Sequence, residues 1–155
     1  MSATPSVVSQ YVSELRDAAV QQDRLRFRHN LERIGALQAY EISKSLRYEE
    51  REVQTPLAPC RCQCLAERIV LATIFRAGLP HHRGFLEVFD GAENAFVSAY
   101  RYYKDKDCKE VGVHVEYMAS PDLTGKTLIL ADPMLAKGYS MELAVEAFLR
   151  NGRPH

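Results

Sequence analysis

Two short apolar runs constrain the fold of this chain more than any other feature of its sequence. They are Ile69–Phe75 and Thr127–Ala131, and both have the length and the branched side chains of strands buried on both faces. Each run leads into a loop and then into a segment with helical spacing. Strands that alternate with helices predict an α/β fold, with a mainly parallel sheet flanked by helices.

The remaining periodic segments extend this prediction. Apolar residues at helical spacing predict a long helix over Asp23–Leu46, and a shorter helix carrying Val8, Val12 and Leu15 is expected before it. Helices are also expected over Pro80–Phe89 and Ser140–Asn151. Two further strands are expected at Ala95–Tyr102 and Val111–Met118, joined into a hairpin by the polar stretch Lys104–Glu110.

Length and charge limit the class of protein. A chain of 155 residues predicts one domain over residues 1–155, and 20 basic against 20 acidic residues give no overall attraction to nucleic acid or anionic membrane. No apolar stretch reaches the roughly 20 residues of a membrane helix, and the first twenty residues lack a signal-peptide core. A cytoplasmic location with reduced cysteines is therefore expected.

Two motifs imitate functional sites. Gly125-Lys126-Thr127 resembles the end of a nucleotide-binding P-loop, but Ser120 stands where that pattern requires a glycine, and the triplet precedes its strand. A turn that enters a strand is the preferred interpretation.

The second motif is the alternating series Cys60, Cys62 and Cys64. Its spacing is tighter than that of most metal sites. A loop with free thiols is preferred over a strand face that binds a metal together with Cys108.

The strongest candidate site combines the loops that follow the two apolar runs. Arg76 follows the first run and Asp132 the second, and the carboxyl ends of parallel strands meet at one edge of a sheet. An arginine can bind phosphate oxygens in a bidentate manner, and a helix N-terminus near Ser140 offers free N–H groups to an anion. The alternative to a binding site is that Arg76 is a surface arginine, Asp132 a loop acid and Ser140 a simple N-cap. If the two loops form one site, Arg76 and Asp132 should face one cleft.

These residues also carry a family resemblance. The string Asp132-Pro133-Met134-Leu135-Ala136, with Gly138 and Ser140, resembles the phosphoribosyl-diphosphate loop of uracil phosphoribosyltransferases. Arg76-Ala77-Gly78-Leu79 is similar to that family's pyrophosphate loop. Three other segments resemble the family in the same order: the helix Phe27–Leu46, Glu52–Leu57 and Ala99–Arg101. The resemblance implies a phosphoribosyltransferase-like fold with a β-hairpin arm and an amino-terminal helical segment.

The resemblance also implies a role for each site residue. Asp132 would bind the ribose hydroxyls of phosphoribosyl diphosphate, Arg76 would hold the diphosphate, and Arg101 would swing over it from the hairpin. Magnesium would bridge the donor's oxygens, and uracil nitrogen would displace diphosphate at the anomeric carbon. The implied catalytic residues are Asp132 and Arg76, and the implied donor-binding residues are Arg76, Ala77, Gly78, Arg101, Asp132, Pro133, Met134, Leu135, Ala136, Lys137, Gly138, Tyr139 and Ser140.

The sequence departs from the family's pattern in two places. Lys137 and Tyr139 stand where the family has threonine and then glycine or serine. Lys137 keeps a charge for the phosphate, whereas Tyr139 puts a ring where a small residue is usual. The glycine-rich uracil-binding segment is not recognised before His155, so no uracil-binding residue is assigned. Weak donor binding, little uracil conversion and self-association into a homo-oligomer are therefore expected.

Three functions follow as hypotheses. The first is an enzyme that makes uridine monophosphate from uracil in pyrimidine salvage. The second is a shortened, inactive relative that serves as a binding or oligomerising module. The third is an RNA-binding regulator, for which salt-dependent RNA binding would be the sign. Its support is a basic cluster that is more simply a solvated helix face: Arg24, Arg26, Arg28, His29 and Arg33.

Overall fold

The computed structural model describes residues 5–103, 111–134 and 138–155. Four α-helices and six strands lie in these ranges. The helices are α1 (Val7–Arg16), α2 (Arg24–Ser43), α3 (Leu79–Val88) and α4 (Tyr139–Phe148). The strands are β1 (Tyr48–Gln54), β2 (Pro59–Leu65), β3 (Ile69–Phe75), β4 (Glu93–Tyr103), β5 (Val111–Ala119) and β6 (Thr127–Ala131). None of the helices in these ranges combines the length and the apolar character needed to cross a membrane.

A four-stranded sheet forms the centre of the fold, with the strand order β5-β4-β3-β6. Strand β3 runs parallel to both of its neighbours, β4 and β6, and only β5 is antiparallel. The predicted α/β class with a mainly parallel sheet is confirmed, and both apolar runs form strands over the predicted residues. The predicted hairpin connection Lys104–Glu110 lies outside the described residues.

Alternation along β3 sends its side chains into two separate cores. Leu71 packs with Phe85 of α3 on one face, in a cluster that also includes Ala39 of α2. Val70 packs on the other face with Phe148 of α4. Because both faces of the central strand are covered, the run Ile69–Phe75 shows no polar alternation. The sheet is thus held between α2 and α3 on one side and α4 on the other.

Helices α2 and α3 approach each other closely at two glycines. A Cβ atom at Gly84 would collide with the carbonyl oxygen of Glu32 and lie 2.7 Å from the backbone nitrogen of Ala36. A Cβ atom at Gly35 would likewise collide with the carbonyl oxygen of His81. This contact fixes the start of α3, and hence the loop that precedes it, against α2.

Cys60, Cys62 and Cys64 lie in a strand, so the prediction of a loop at these three residues is wrong. Strand β2 pairs antiparallel with β1 in a separate two-stranded sheet, with Cys62 opposite Arg51. The turn is closed at Thr55, whose Oγ1 accepts a hydrogen bond from the backbone nitrogen of Ala58 at 3.1 Å. Strand β1 is exposed on both faces and shows no apolar alternation, so the alternating cysteines of β2 are the sequence signal for this hairpin.

The interpretation of Gly125-Lys126-Thr127 as a turn into a strand is confirmed. Gly125 has a φ of +67° at the turn, directly before β6. The ammonium group of Lys126 is buried and lies 2.5 Å from Oε1 of Glu93. A lysine paired in this way contributes to packing between the starts of β6 and β4.

Candidate functional site

The two predicted site loops leave the sheet side by side. Strands β3 and β6 are parallel neighbours, and Thr73 is paired with Ala131. The buried Thr73 hydroxyl also donates a hydrogen bond of 2.8 Å to the carbonyl oxygen of Ala131. Arg76 and Asp132 follow these strand ends, so both emerge at the carboxyl edge of the parallel strands.

The loop after β3 is compact and depends on a glycine. The peptide bond between Phe75 and Arg76 is cis. The backbone nitrogen of Gly78 donates to the carbonyl oxygen of Ile74 at 3.2 Å. A Cβ atom at Gly78 would collide with Oγ1 of Thr73 and lie 2.8 Å from the Ile74 oxygen, so only glycine fits. Helix α3 begins at the next residue, which places Arg76 beside a helix N-terminus.

The loop after β6 begins with a half-buried carboxyl group. Burial raises the pKa of Asp132 above its ordinary value. Pro133 and the exposed Met134 follow, while Leu135, Ala136 and Lys137 lie outside the described residues. A carboxylate at this position can accept hydrogen bonds from hydroxyl groups of a ligand.

Helix α4 starts one residue earlier than predicted. Gly138 occupies the N-cap position with a φ of +81°, and Tyr139 is the first helical residue. The alternative in which Ser140 is the N-cap is therefore wrong, because Ser140 is the second residue of the helix. Helix α4 presents its free N–H groups at the same edge as Asp132.

A cavity of about 210 Å³ lies between the two loops and α2. Arg28 of α2 and Arg76 are both among the residues that line it, and its walls are mostly apolar. Sequence reasoning missed Arg28 as a site residue, since only the three-dimensional position of α2 brings it there. The spacing of Phe27 and Leu31 on the core-facing side gave a partial signal. The lining residues are Phe27, Arg28, Leu31, Arg76, Ala77, Pro80, Pro133 and Met134.

Arg101 lies on the part of β4 that extends past the end of β3. Phe75, the last residue of β3, is paired with Ser98, and Arg101 follows further along β4, opposite Val113 of β5. The backbone at Arg101 is therefore at the same edge of the sheet as the two loops.

Acidic side chains lie close to several residues of the basic cluster on α2. Arg26 lies 3.5 Å from Glu14 and 3.9 Å from Asp23. His29 lies 3.7 Å from Glu32. These neighbours reduce the positive field that an RNA-binding helix would present. The structure thus offers little support for the RNA-binding hypothesis.

Comparison with known proteins gives a match along the chain. The sequence profile of a family described as uracil phosphoribosyltransferase matches residues 2–155. A protein named uracil phosphoribosyltransferase from Porphyromonas gingivalis is 54% identical over 99% of this chain and 70% of its own length. A protein of the same name from Methanothermobacter thermautotrophicus is 37% identical over 85% of this chain and 60% of its own.

Solved structures agree with the sequence matches. A protein from Aquifex aeolicus has a TM-score of 0.83 and 30% identity over 97% of this chain and 70% of its own. A purine phosphoribosyltransferase from Pyrococcus horikoshii, at 17% identity over 56% of each chain and a TM-score of 0.50, shares the fold alone.

Proposed function

Because this chain belongs to the uracil phosphoribosyltransferase family, we propose that the edge formed by β3 and β6 binds the diphosphate donor of that reaction. The family transfers a phosphoribosyl group from phosphoribosyl diphosphate to uracil, giving uridine monophosphate and diphosphate in pyrimidine salvage. The chain is accordingly a pentosyltransferase by family. The observation that supports the proposed site is the pairing of Thr73 with Ala131, which brings the ends of β3 and β6, and so the loops that contain Arg76 and Asp132, to one edge of the sheet.

The loop after β6 takes the phosphoribosyl half of the donor. Asp132 accepts hydrogen bonds from the ribose hydroxyls, and the stretch from Met134 to Ser140 surrounds the phosphate. The N-terminus of α4 favours this charge, since its unpaired N–H groups and the positive end of the helix dipole face an anion. The left-handed conformation of Gly138 allows the chain to turn into the helix at this point.

The loop after β3 takes the diphosphate. The Arg76 guanidinium and the backbone of Ala77 and Gly78 bind its oxygens, and Arg101 closes over them from β4. In the reaction the bond from the anomeric carbon to diphosphate oxygen breaks as the bond from uracil nitrogen forms. Positive groups fixed around the leaving group stabilise the charge that develops on it.

Magnesium fits this arrangement as an ion carried by the donor. Among the described residues there is no group of three or more potential metal ligands, and Asp132 is the carboxylate at the edge. Magnesium commonly uses one or two carboxylates together with substrate phosphates and water. When bound, the ion would neutralise charge on the diphosphate, with Asp132 as the residue able to approach it.

Several observations favour the enzyme over the other hypotheses. The match at 54% identity spans nearly the whole chain, and the acidic partners on α2 weaken the case for an RNA-binding surface. We further propose that the protein acts in the cytoplasm as a homo-oligomer. The expectation of little uracil conversion, drawn from the unassigned uracil-binding residues and from Tyr139, stays a prediction that an activity assay tests.

Formation of uridine monophosphate from uracil and phosphoribosyl diphosphate with magnesium tests the proposal. Arg76→Ala should lower kcat/KM by about a hundredfold or more, since it removes a donor fixed at the leaving group. Arg150→Ala, at the other end of α4, is the matched control and should stay within about twofold of the parent. If the parent shows measurable turnover, equal kcat/KM values for the parent and Arg76→Ala would contradict the assignment of this edge.

A further inference from the structure

Strand β2 carries a row of thiols that the proposed reaction does not use. Cys60, Cys62 and Cys64 alternate along the strand, so their side chains share one face of the hairpin. The sulfur atoms of Cys60 and Cys62 lie 3.4 Å apart. All three thiols are free, with Cys60 exposed and the other two half-buried. Solvent therefore reaches a pair of sulfurs that already touch.

The strand geometry disfavours a direct bond between these two sulfurs. Alternate residues of an extended strand have Cα atoms roughly 6.8 Å apart, from a rise of about 3.4 Å per residue. That separation is at the upper end of the range of about 4.4–6.8 Å found in disulfides. A single atom that bonds to both sulfurs needs no shortening of the Cα separation. The pair is therefore better placed to chelate than to oxidise.

The surroundings also narrow the class of ligand. No group of three or more His, Cys, Asp or Glu side chains that could hold a metal ion occurs in residues 5–103, 111–134 or 138–155. A tetrahedral zinc site, which takes four ligands, is not matched there. Thiolates instead select soft centres, and some of these are satisfied by few ligands.

We propose that Cys60 and Cys62 form a chelating dithiol site for a soft, thiophilic metal or metalloid centre. Trivalent arsenic and monovalent copper share this chemistry. With a monosubstituted arsenic dihydroxide, two S–As bonds replace two As–O bonds. Each thiol proton leaves with a departing hydroxide, so two waters are released. Arsenic stays trivalent, and no electrons are transferred.

The test is titration of the full chain, in a Cys108→Ser background, with phenylarsine oxide, followed by intact-protein mass spectrometry. We expect one adduct per chain. Cys60→Ser and Cys62→Ser should each lower the affinity for phenylarsine oxide by about a hundredfold, because the second sulfur no longer acts at high effective concentration. Cys64→Ser is the matched control and should retain the adduct. Retention by Cys60→Ser, or loss in Cys64→Ser, would overturn the assignment.

A second measurement needs no variant of the proposed pair. Iodoacetamide labelling after treatment with phenylarsine oxide should leave Cys60 and Cys62 unmodified while Cys64 is still labelled. Labelling of Cys60 at its untreated rate would contradict the proposal. Parallel titrations with arsenite and with monovalent copper show which source of the soft centre is preferred. If arsenite, monovalent copper and phenylarsine oxide all fail to bind, the dithiol site is overturned. The donor-binding proposal is unaffected by that result.

Discussion

Tyr139 places a large side chain at the point where a phosphate would approach α4. It is the first residue of the helix and 62% exposed, directly after the left-handed Gly138. Backbone N–H groups must come within about 3 Å of a phosphate oxygen to donate a hydrogen bond. A ring beside them limits how closely the phosphate can settle.

Replacing this ring should improve donor binding. Tyr139→Ala is expected to tighten the Kd for phosphoribosyl diphosphate by about threefold to tenfold, or about 0.6–1.4 kcal/mol. Titration calorimetry with magnesium measures the effect. Tyr40→Ala removes a comparably exposed helical tyrosine, at 56%, and should leave the Kd unchanged. Weaker binding by Tyr139→Ala would show that the ring contributes to the site.

His81 is a second residue whose environment has a measurable consequence. Its Nε2 lies 2.6 Å from Oε1 of Gln38, which requires the proton on Nε2 because an amide oxygen only accepts. The buried Nδ1 has no hydrogen-bond partner among the described residues. Burial, with a smaller effect of His82, lowers the pKa of His81 to about 4. The folded protein therefore holds this imidazole neutral.

Stability should consequently fall as the solution becomes acidic. The pKa of His81 is lower in the folded chain than in the unfolded chain, so the unfolded chain binds more protons below about pH 6.5. The free energy of unfolding is highest above that pH and declines toward pH 4, by about 2 kcal/mol between pH 7 and pH 5. Urea unfolding at pH 7 and at pH 5 measures this decline. His81→Gln should reduce this decline, and the exposed His29→Gln should not.

Among the elements, the crossing of α2 and α3 is the contact most sensitive to a single added methyl group. Gly84→Ala puts a Cβ atom against the Glu32 carbonyl, and backbone cannot move aside as a side chain can. The free energy of unfolding should drop by about 2–3 kcal/mol, as for other overpacked sites. A Cβ atom at Gly91 meets nothing within 4 Å, so Gly91→Ala is the matched control. Equal stability of the two variants would contradict the close crossing.

The strands differ in how clearly the sequence reveals them. Strand β3 is buried on both faces and β6 is half-buried beside it, so nearly unbroken apolar runs mark them at Ile69–Phe75 and Thr127–Ala131. Strands β1 and β2 are largely exposed, and backbone pairing alone defines them. Strand β1 shows no alternation of burial, and the alternation in β2 is limited to its cysteines, so the sequence favours a loop at Cys60.

The candidate site shows the same division. That the loops of Arg76 and Asp132 leave one edge of the sheet follows from a general property of parallel strands, so the sequence could predict it. The position of Arg28 in the cavity depends on the packing of α2 against the loops, which no local pattern encodes. Helix α4 begins one residue before its predicted start, because Gly138 rather than Ser140 occupies the N-cap position.

At the scale of the whole molecule, β6 has one partner. Within the described ranges it pairs with β3 alone, so its other edge presents unpaired N–H and C=O groups. Such edges recruit further strands or chains. We expect the purified chain to sediment as a dimer or larger oligomer at micromolar concentration. A monomer by sedimentation velocity would contradict this expectation.

We propose that one edge of the sheet binds the donor through residues from two separate loops. Calorimetric titration of phosphoribosyl diphosphate, with magnesium, into the parent, Tyr139→Ala, Arg76→Ala and Asp132→Asn chains tests this proposal. We predict that the parent binds phosphoribosyl diphosphate and that Tyr139→Ala binds it more tightly. Arg76→Ala and Asp132→Asn should each lose about tenfold or more in affinity, as expected for a charged hydrogen bond worth about 1.5–3 kcal/mol. Affinities for Arg76→Ala and Asp132→Asn equal to that of the parent, or no binding even by Tyr139→Ala, would contradict the account.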